Sequence, residues 1–468
     1  MKRVTFFILL FLNIGILYAQ NSDFVLPSII SDHAVMQREA KVKLWGWCPS
    51  VWDLKIVCSW APADTIQAHS DKYCAWETYI QTPSEAGPYT ISFYGWKNAL
   101  VGQVNDILMG ETWLCSGQSN MEYNLSYRIS DVDNLQKLVD NKQIRLFKVN
   151  KCSSKYPLER IEGKWEICSF ESGKDFSAVG FFFGNQLNKI LKVPVGLIGS
   201  YWGGTAIQPW ICDSIYKSSP DLIRKSHKLR ADWAPTANSS IFNGMIFPIK
   251  NYTIAGVIWY QGEANNQEPF DYGGLFNGMI DGWRSSFNSC LPFYYVQIAP
   301  WNGYADRNAA YLREQQAKIE TSKDSVGMIV INDLVNDVAE LHPDRKAQVG
   351  ARLANMALRK TYHKNEIEPF FPTLKSIEYK NGKALISTTS LGRLICREKS
   401  ISNFEIIDQG GKIHDAKARI LRDGTICVSA QNVKRIVAVR YCFTNDAVAN
   451  LFDVNGLPLA PFRTDIEK

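Results

Sequence analysis

The sequence predicts an α/β protein: a parallel sheet covered by helices on both faces, preceded by a sandwich-like β region and followed by a second β region. Three observations carry this reading. Between about 106 and 362, short apolar runs alternate with helix-like stretches, the pattern of strands buried on both faces. Residues 21–105 hold short runs such as Lys43-Leu44-Trp45-Gly46-Trp47 and Tyr89-Thr90-Ile91-Ser92-Phe93-Tyr94, broken at close intervals by Pro, Gly and Asp. Residues 363–468 return to short strands with turns at Gly382, Gly392, Gly410-Gly411 and Asp423-Gly424. A chain of 468 residues exceeds what one hydrophobic core ordinarily holds.

The first 20 residues read as a signal peptide: Lys2 and Arg3, then an apolar stretch from Phe6 to Leu17, then Tyr18-Ala19-Gln20 as a cleavage site. The expectation is a secreted or periplasmic protein whose mature form is not held in a membrane. With 46% hydrophobic and 21% charged residues the chain is not of disordered composition. The formal charge is +6, and residues 1–20 hold two bases and no acid, leaving +4 (6 minus 2). Those bases are scattered, which argues against a nucleic-acid partner. There are 11 cysteines and no C-x-x-C, so zinc-ribbon and thioredoxin readings fail. Export permits disulfides, and the odd count leaves at least one thiol unpaired. Cys115, inside an apolar run, reads as a small core residue.

Within the α/β region, Ile107-Leu108-Met109 and Trp113-Leu114-Cys115 are expected to bracket a Gly110-Glu111 turn. Phe176 to Leu191 reads as a helix. Val193 to Ile198, Ile254 to Tyr260, Phe293 to Ile298 and Val326 to Ile331 read as buried strands. The polar stretch 215–240 reads as an insertion or lid. Pro343 fits the first turn of a helix whose apolar stripe is Val349, Leu353 and Met356, which would set His342 at its N-cap.

Four segments carry chemistry. Gly117-Gln118-Ser119-Asn120-Met121 follows an apolar strand, and a serine there points into the crevice where parallel sheets bind ligands. A turn serine that merely caps a helix is the commoner meaning of such a motif taken singly. Gly199-Ser200-Tyr201-Trp202-Gly203-Gly204-Thr205 ends a second strand, and its paired glycines can bring backbone N–H groups close to a ligand. Trp259-Tyr260-Gln261-Gly262-Glu263-Ala264-Asn265-Asn266 ends a third, where a glutamine amide can donate to an oxyanion. His342-Pro343-Asp344 supplies the one histidine of six that follows a buried strand of the α/β region and opens a helix. A helix N-terminus disfavours imidazolium and so favours a neutral general base. No histidine spacing suits a metal, and no cofactor is expected.

Together these blocks resemble the sialate O-acetylesterase family of the SGNH hydrolases, over nearly the whole mature chain. Leu26-Pro27-Ser28, Ser31-Asp32-His33, Met36-Gln37-Arg38 and Trp45-Gly46-Trp47 match at one end. Asn455-Gly456-Leu457-Pro458 and Pro461-Phe462-Arg463-Thr464-Asp465 match at the other. Asn243-Gly244-Met245 precedes the third block. The resemblance implies a flavodoxin-like SGNH sheet over 106–362, between β regions at 21–105 and 363–468. It implies Ser119 as nucleophile, His342 as general base, and oxyanion donors from the Ser119 N–H, Gly203 or Gly204, and Gln261. Gln118, Asn120, Trp202, Glu263 and Asn265 are expected around the substrate. SGNH enzymes commonly carry an Asp three residues before the histidine, and here that position is Ala339; the family often shows an Asp two before, where this chain has Glu340. The third member is therefore Glu340, with Asp337 or a backbone carbonyl as alternatives. The partner implied is an acetylated carbohydrate: a sialoglycan, or an acetylated xylan or other plant polysaccharide. A non-catalytic glycan-binding protein is the rival reading. A lipase or peptidase is disfavoured by the lack of a G-x-S-x-G elbow.

Overall fold

The computed structural model describes residues 23–226 and 233–465. The expected signal peptide and His227 lie outside the described residues. Across the main sheet the strand order is Val326–Ile329, Phe293–Val296, Gly256–Tyr260, Leu100–Gly117, Val195–Tyr201, Ile144–Lys148 and Trp165–Ile167. Neighbours pair in parallel except at the last step, where Trp165–Ile167 closes the edge antiparallel to Ile144–Lys148. The chain thus leaves the central strand toward one side and later resumes on the other. Such a reversal opens a crevice at the carboxyl ends of the two strands that part there.

Large side chains on alternate faces cover the sheet. Trp113 of the central strand meets Phe183 of the Ala178–Leu191 helix, with ring centroids 5.0 Å apart, on one face. Trp259 meets Phe276 and Trp283 of the Tyr272–Ser286 helix on the other. The first helix is capped by Ser177, whose hydroxyl accepts from the Gly180 N–H. Gly350 of the Lys346–Lys360 helix packs against Phe182 and the Val179 carbonyl, with no room for a Cβ.

One expectation is overturned. Gly110-Glu111 is not a turn: Leu100–Gly117 is a single 18-residue strand. Its first half pairs antiparallel with Tyr89–Tyr94 and its second half joins the parallel sheet. Glycine is required at 110 by a close approach, since a Cβ would stand 2.1 Å from the Pro194 carbonyl oxygen. The N-terminal β region and the main sheet are therefore continuous through one backbone, and they share one buried apolar cluster. Within the N-terminal region, Trp76 from the Lys41–Trp47/Ala75–Gln81 pair packs against Phe93 at 5.8 Å.

The C-terminal region has its own buried cluster around Ile386, Ile406, Val428 and Val439, within a seven-stranded antiparallel sheet. It docks through paired charges: Arg307 grips Glu405 with two bonds of 2.7 Å, and Arg463 grips Glu314 at 2.8 and 3.0 Å. In the stretch expected as an insertion, Asp213–Ser218 and Pro220–Ser226 are short helices packed on Tyr272–Ser286 through Gly278 and Gly282. All 11 cysteines carry free thiols, Cys115 fully buried among them. No helix of the described residues is long and apolar enough to cross a membrane.

The contact at Gly110 yields a test. Gly110→Ala must push the strand away from Pro194, and overpacking of this kind costs about 1–3 kcal/mol. A lower thermal midpoint in calorimetry is expected; an unchanged midpoint would show that the strand yields freely.

Candidate active site

The turn that carries Ser119 is fixed by a backbone collision waiting to happen. Gly117 ends the central strand with φ +141°, and a Cβ there would stand 2.1 Å from the Tyr260 carbonyl oxygen. That oxygen instead accepts the Gln118 N–H at 3.0 Å. The chain then turns directly into the four-residue Ser119–Glu122 helix. Ser119, second in that turn after Gln118, has an N–H with no preceding helical carbonyl to serve.

His342 stands on the loop after the Val326–Ile329 strand, and its Nε2 lies 2.9 Å from Ser119 Oγ. Ser119 and His342 line a cleft of about 420 Å³ together with Glu122, Tyr123, Asn124 and Tyr127. The imidazole pKa is held below its ordinary value, first by burial and second by the Lys346 ammonium. The expected cause was a helix N-cap, and this is corrected: the helix starts at Lys346, its N-cap is Arg345, and His342 lies before it. Pro343 is buried in the approach to that helix and does not open it.

The glycine block reaches the same place. A Cβ on Gly203 would lie 3.4 Å from Ser119 Cβ. The Gly203 N–H donates to Glu122 Oε2 at 2.6 Å, and Glu122 Oε1 pairs with Lys151 at 2.6 Å. Gly204 has φ +76°, and its missing Cβ leaves room for the Trp233 indole. Trp202 is half-buried beside Gly203, with Lys151 5.8 Å from its ring centre.

Other expected site residues are placed differently. Gln261 is fully buried, and its amide donates to Asn265 Oδ1 at 2.8 Å, Gln118 Oε1 at 3.2 Å and the Thr205 carbonyl at 3.3 Å. It has no donor left for an oxyanion. Gln118 Oε1 also accepts the N–H groups of Gly262 and Ala264. Asn265 accepts from Ile207 N and donates to Gln208. Asn120 donates to Glu263 Oε1 at 2.6 Å and accepts from Lys346 at 2.6 Å. These five amide and carboxylate side chains are 0–5% exposed. They tie loops together; they do not line the cleft. Glu340 is exposed and makes no hydrogen bond with His342, so the structure does not bring it into a triad. Asp337 caps the Ala339 N–H at 2.9 Å. Glu122 and Lys346 were not foreseen; the only signal for Glu122 was its place three residues after Ser119, on the same turn. Among the described residues no group of His, Cys, Asp or Glu is set to hold a metal.

Comparison with known proteins places the chain in a family. A family profile described as "Carbohydrate esterase, sialic acid-specific acetylesterase" matches residues 109–359. The chain belongs to this family of carbohydrate esterases. Within it, the chain is 26% identical over 477 residues to the sialate O-acetylesterase of Homo sapiens, covering 92% of this chain and 90% of that one. The protein of that name from Pongo abelii gives the same identity and coverage. A carbohydrate acetylesterase from Xanthomonas citri superposes with a TM-score of 0.84 at 30% identity, covering 94% of this chain and 99% of that structure.

For an esterase of this family, the turn at Gly117 gives a direct test. Gly117→Ala strains a positive φ and collides with Tyr260, displacing Ser119. A misplacement of this order costs on the order of 100-fold in reactivity. Fluorophosphonate labelling of Ser119 is expected to slow by that factor; labelling at the wild-type rate would refute the constraint.

Proposed function

We propose that this protein is a serine esterase of the SGNH type that removes O-acetyl groups from a carbohydrate, with Ser119 as nucleophile and His342 as general base. The observation that carries it is the 2.9 Å approach of His342 Nε2 to Ser119 Oγ at the rim of an open cleft. The SGNH reading is supported by topology. Leaving out the two edge strands at 144–148 and 165–167, the strands cross the sheet in chain order 2-1-3-4-5, the flavodoxin-like winding. Export is supported by Lys2, Arg3 and the apolar stretch that follows.

The cycle runs as acyl transfer. His342 Nε2 takes the Ser119 proton as Oγ attacks the acetyl carbonyl. The carbonyl electron pair becomes an oxyanion, held by the Ser119 N–H and by the Gly203 N–H once Glu122 turns aside. Collapse breaks the bond to the sugar oxygen, which leaves with the proton from His342. Water, deprotonated by His342, then attacks the acetyl-serine and releases acetate. Each oxyanion donor is worth about 3 kcal/mol. Among the described residues no carboxylate bonds to His342, which supports a Ser–His dyad.

Ser119→Ala and His342→Ala are expected to abolish acetate release from p-nitrophenyl acetate, whereas Glu340→Ala retains kcat within about twofold. Substantial turnover by Ser119→Ala would refute the assignment. The depressed His342 pKa keeps the base neutral further into acid. The acid limb of kcat/KM is therefore expected below the pH at which an ordinary imidazole would set it. A limb at or above that pH would contradict the burial seen here.

The sugar is set by the rim of the cleft. Acetate release across acetylated sialosides, xylans and pectins identifies the preferred class. A protein that binds these glycans without releasing acetate would be the non-catalytic alternative.

A further inference from the structure

Below the cleft floor, three loops meet on one side chain. Asn120, next to the nucleophile, is fully buried. Its amide nitrogen donates to Glu263 Oε1 at 2.6 Å and to the Leu341 carbonyl at 3.2 Å. Its amide oxygen accepts from Lys346 Nζ at 2.6 Å. Leu341 immediately precedes His342, so this amide fastens the histidine loop to the nucleophile turn. Lys346 is itself fully buried, and its ammonium lies 4.7 Å from the Tyr123 ring centre and 5.4 Å from that of Tyr260. Asn120 is its one hydrogen-bond partner among the described residues.

We infer that Lys346, acting through Asn120, is the positioning residue of this site: it holds the His342 loop in register with Ser119, the task a triad carboxylate performs elsewhere. The inference rests on the reading of Ser119 and His342 as the reacting pair. Three features of the geometry support it. An amide rotates unless both its ends are fixed, and Lys346 fixes the oxygen while Glu263 and Leu341 fix the nitrogen. Burial excludes water as a substitute partner. No carboxylate of the described residues bonds to His342, whose one hydrogen bond is to Ser119.

Charge adds a second, separable effect. The groups acting on Lys346 are Glu263, Asp344 and Asp131, which favour its charged form, against burial, which outweighs them and brings its pKa down to about 7. Below that pH the ammonium is charged, and it then opposes protonation of His342. Around the imidazole, burial acts in the same direction as Lys346. Removing the cation is thus expected to raise the His342 pKa part of the way back to its ordinary value.

Two variants separate tether from charge. Lys346→Met keeps the apolar stem and loses the donor and the cation. It is expected to lower kcat on p-nitrophenyl acetate at least tenfold with KM within about twofold, and to move the acid limb of kcat/KM to higher pH. Asn120→Ala cuts the link to Leu341 and keeps the cation; kcat is expected to fall similarly with the limb in place. The double variant is expected to be no slower than the slower single one, because both act through one connection. Circular dichroism gives the folded fraction, and fluorophosphonate labelling per folded molecule reports Ser119 reactivity should either variant be poorly stable. A folded Lys346→Met enzyme with kcat within twofold of wild type and an unmoved limb would overturn the inference. Failure of the esterase reading looks different: wild-type protein that releases no acetate from any acetylated sugar.

Discussion

The whole site depends on one backbone constraint: the central strand has a strand on each side up to its last residue. Tyr201 and Tyr260 both stand in register with Gly117, one on each flank. The backbone can leave this sheet only by turning out of its end, and the Tyr260 carbonyl so crowds the exit that only glycine fits. Ser119 is consequently placed by main chain alone, before any side-chain interaction is considered. The two flanking strands deliver the Gly203 block against Ser119 and the buried Gln261 block against Gln118. Residues 119, 203 and 261 are neighbours because their strands are, whatever their separation in sequence.

This explains which parts of the site were legible in the sequence. The apolar runs that became strands at 195–201, 256–260, 293–296 and 326–329 were visible because burial on both faces demands uninterrupted apolar residues. Strand ends then located the blocks, and the family resemblance carried by those blocks assigned roles to the serine and histidine. Gly110 misled because glycine punctuates turns and also permits close approach, and sequence does not separate the two. The start of the last helix was misplaced by three residues because Pro343 is equally suited to the irregular segment before it.

The polar residues of the blocks were harder to read, for a physical reason. Gln118, Asn120, Gln261, Glu263 and Asn265 have the composition of a sugar-binding surface. Whether an amide faces a cleft or three buried partners depends on the depth at which its loop crosses the next one. Here the loops cross deeply, and the amides satisfy one another and the backbone: Gln118 alone accepts from three donors. A buried amide left unpaired would cost several kcal/mol at most, so such a network admits little change in loop geometry. Glu340 and Glu122 show the converse. Nearness in sequence to His342 did not place Glu340, nor nearness to Ser119 Glu122; the direction of the local turn sent Glu340 to solvent and Glu122 to the Gly203 N–H.

The buried Lys346–Asn120–Glu263 chain is difficult to justify on stability alone. Taking an ammonium and a carboxylate out of water carries an effective penalty of several kcal/mol per ion, and well-packed apolar residues often replace such groups at no loss. Glu263 shows the strain directly: burial raises its pKa despite the Asn120 bond and the Lys346 charge, and its Oε2 has no partner. An apolar trio would fill the same space, but it would leave the Leu341 carbonyl without its donor and the Asn120 turn free to rotate. What the polar version supplies is direction. Hydrogen bonds at 2.6 Å fix angles as well as distances, and the 2.9 Å contact between His342 and Ser119 requires the imidazole plane to be aimed as well as near. With no acid of the described residues on the far ring nitrogen, aim must come from the loop, and the loop is held at Leu341.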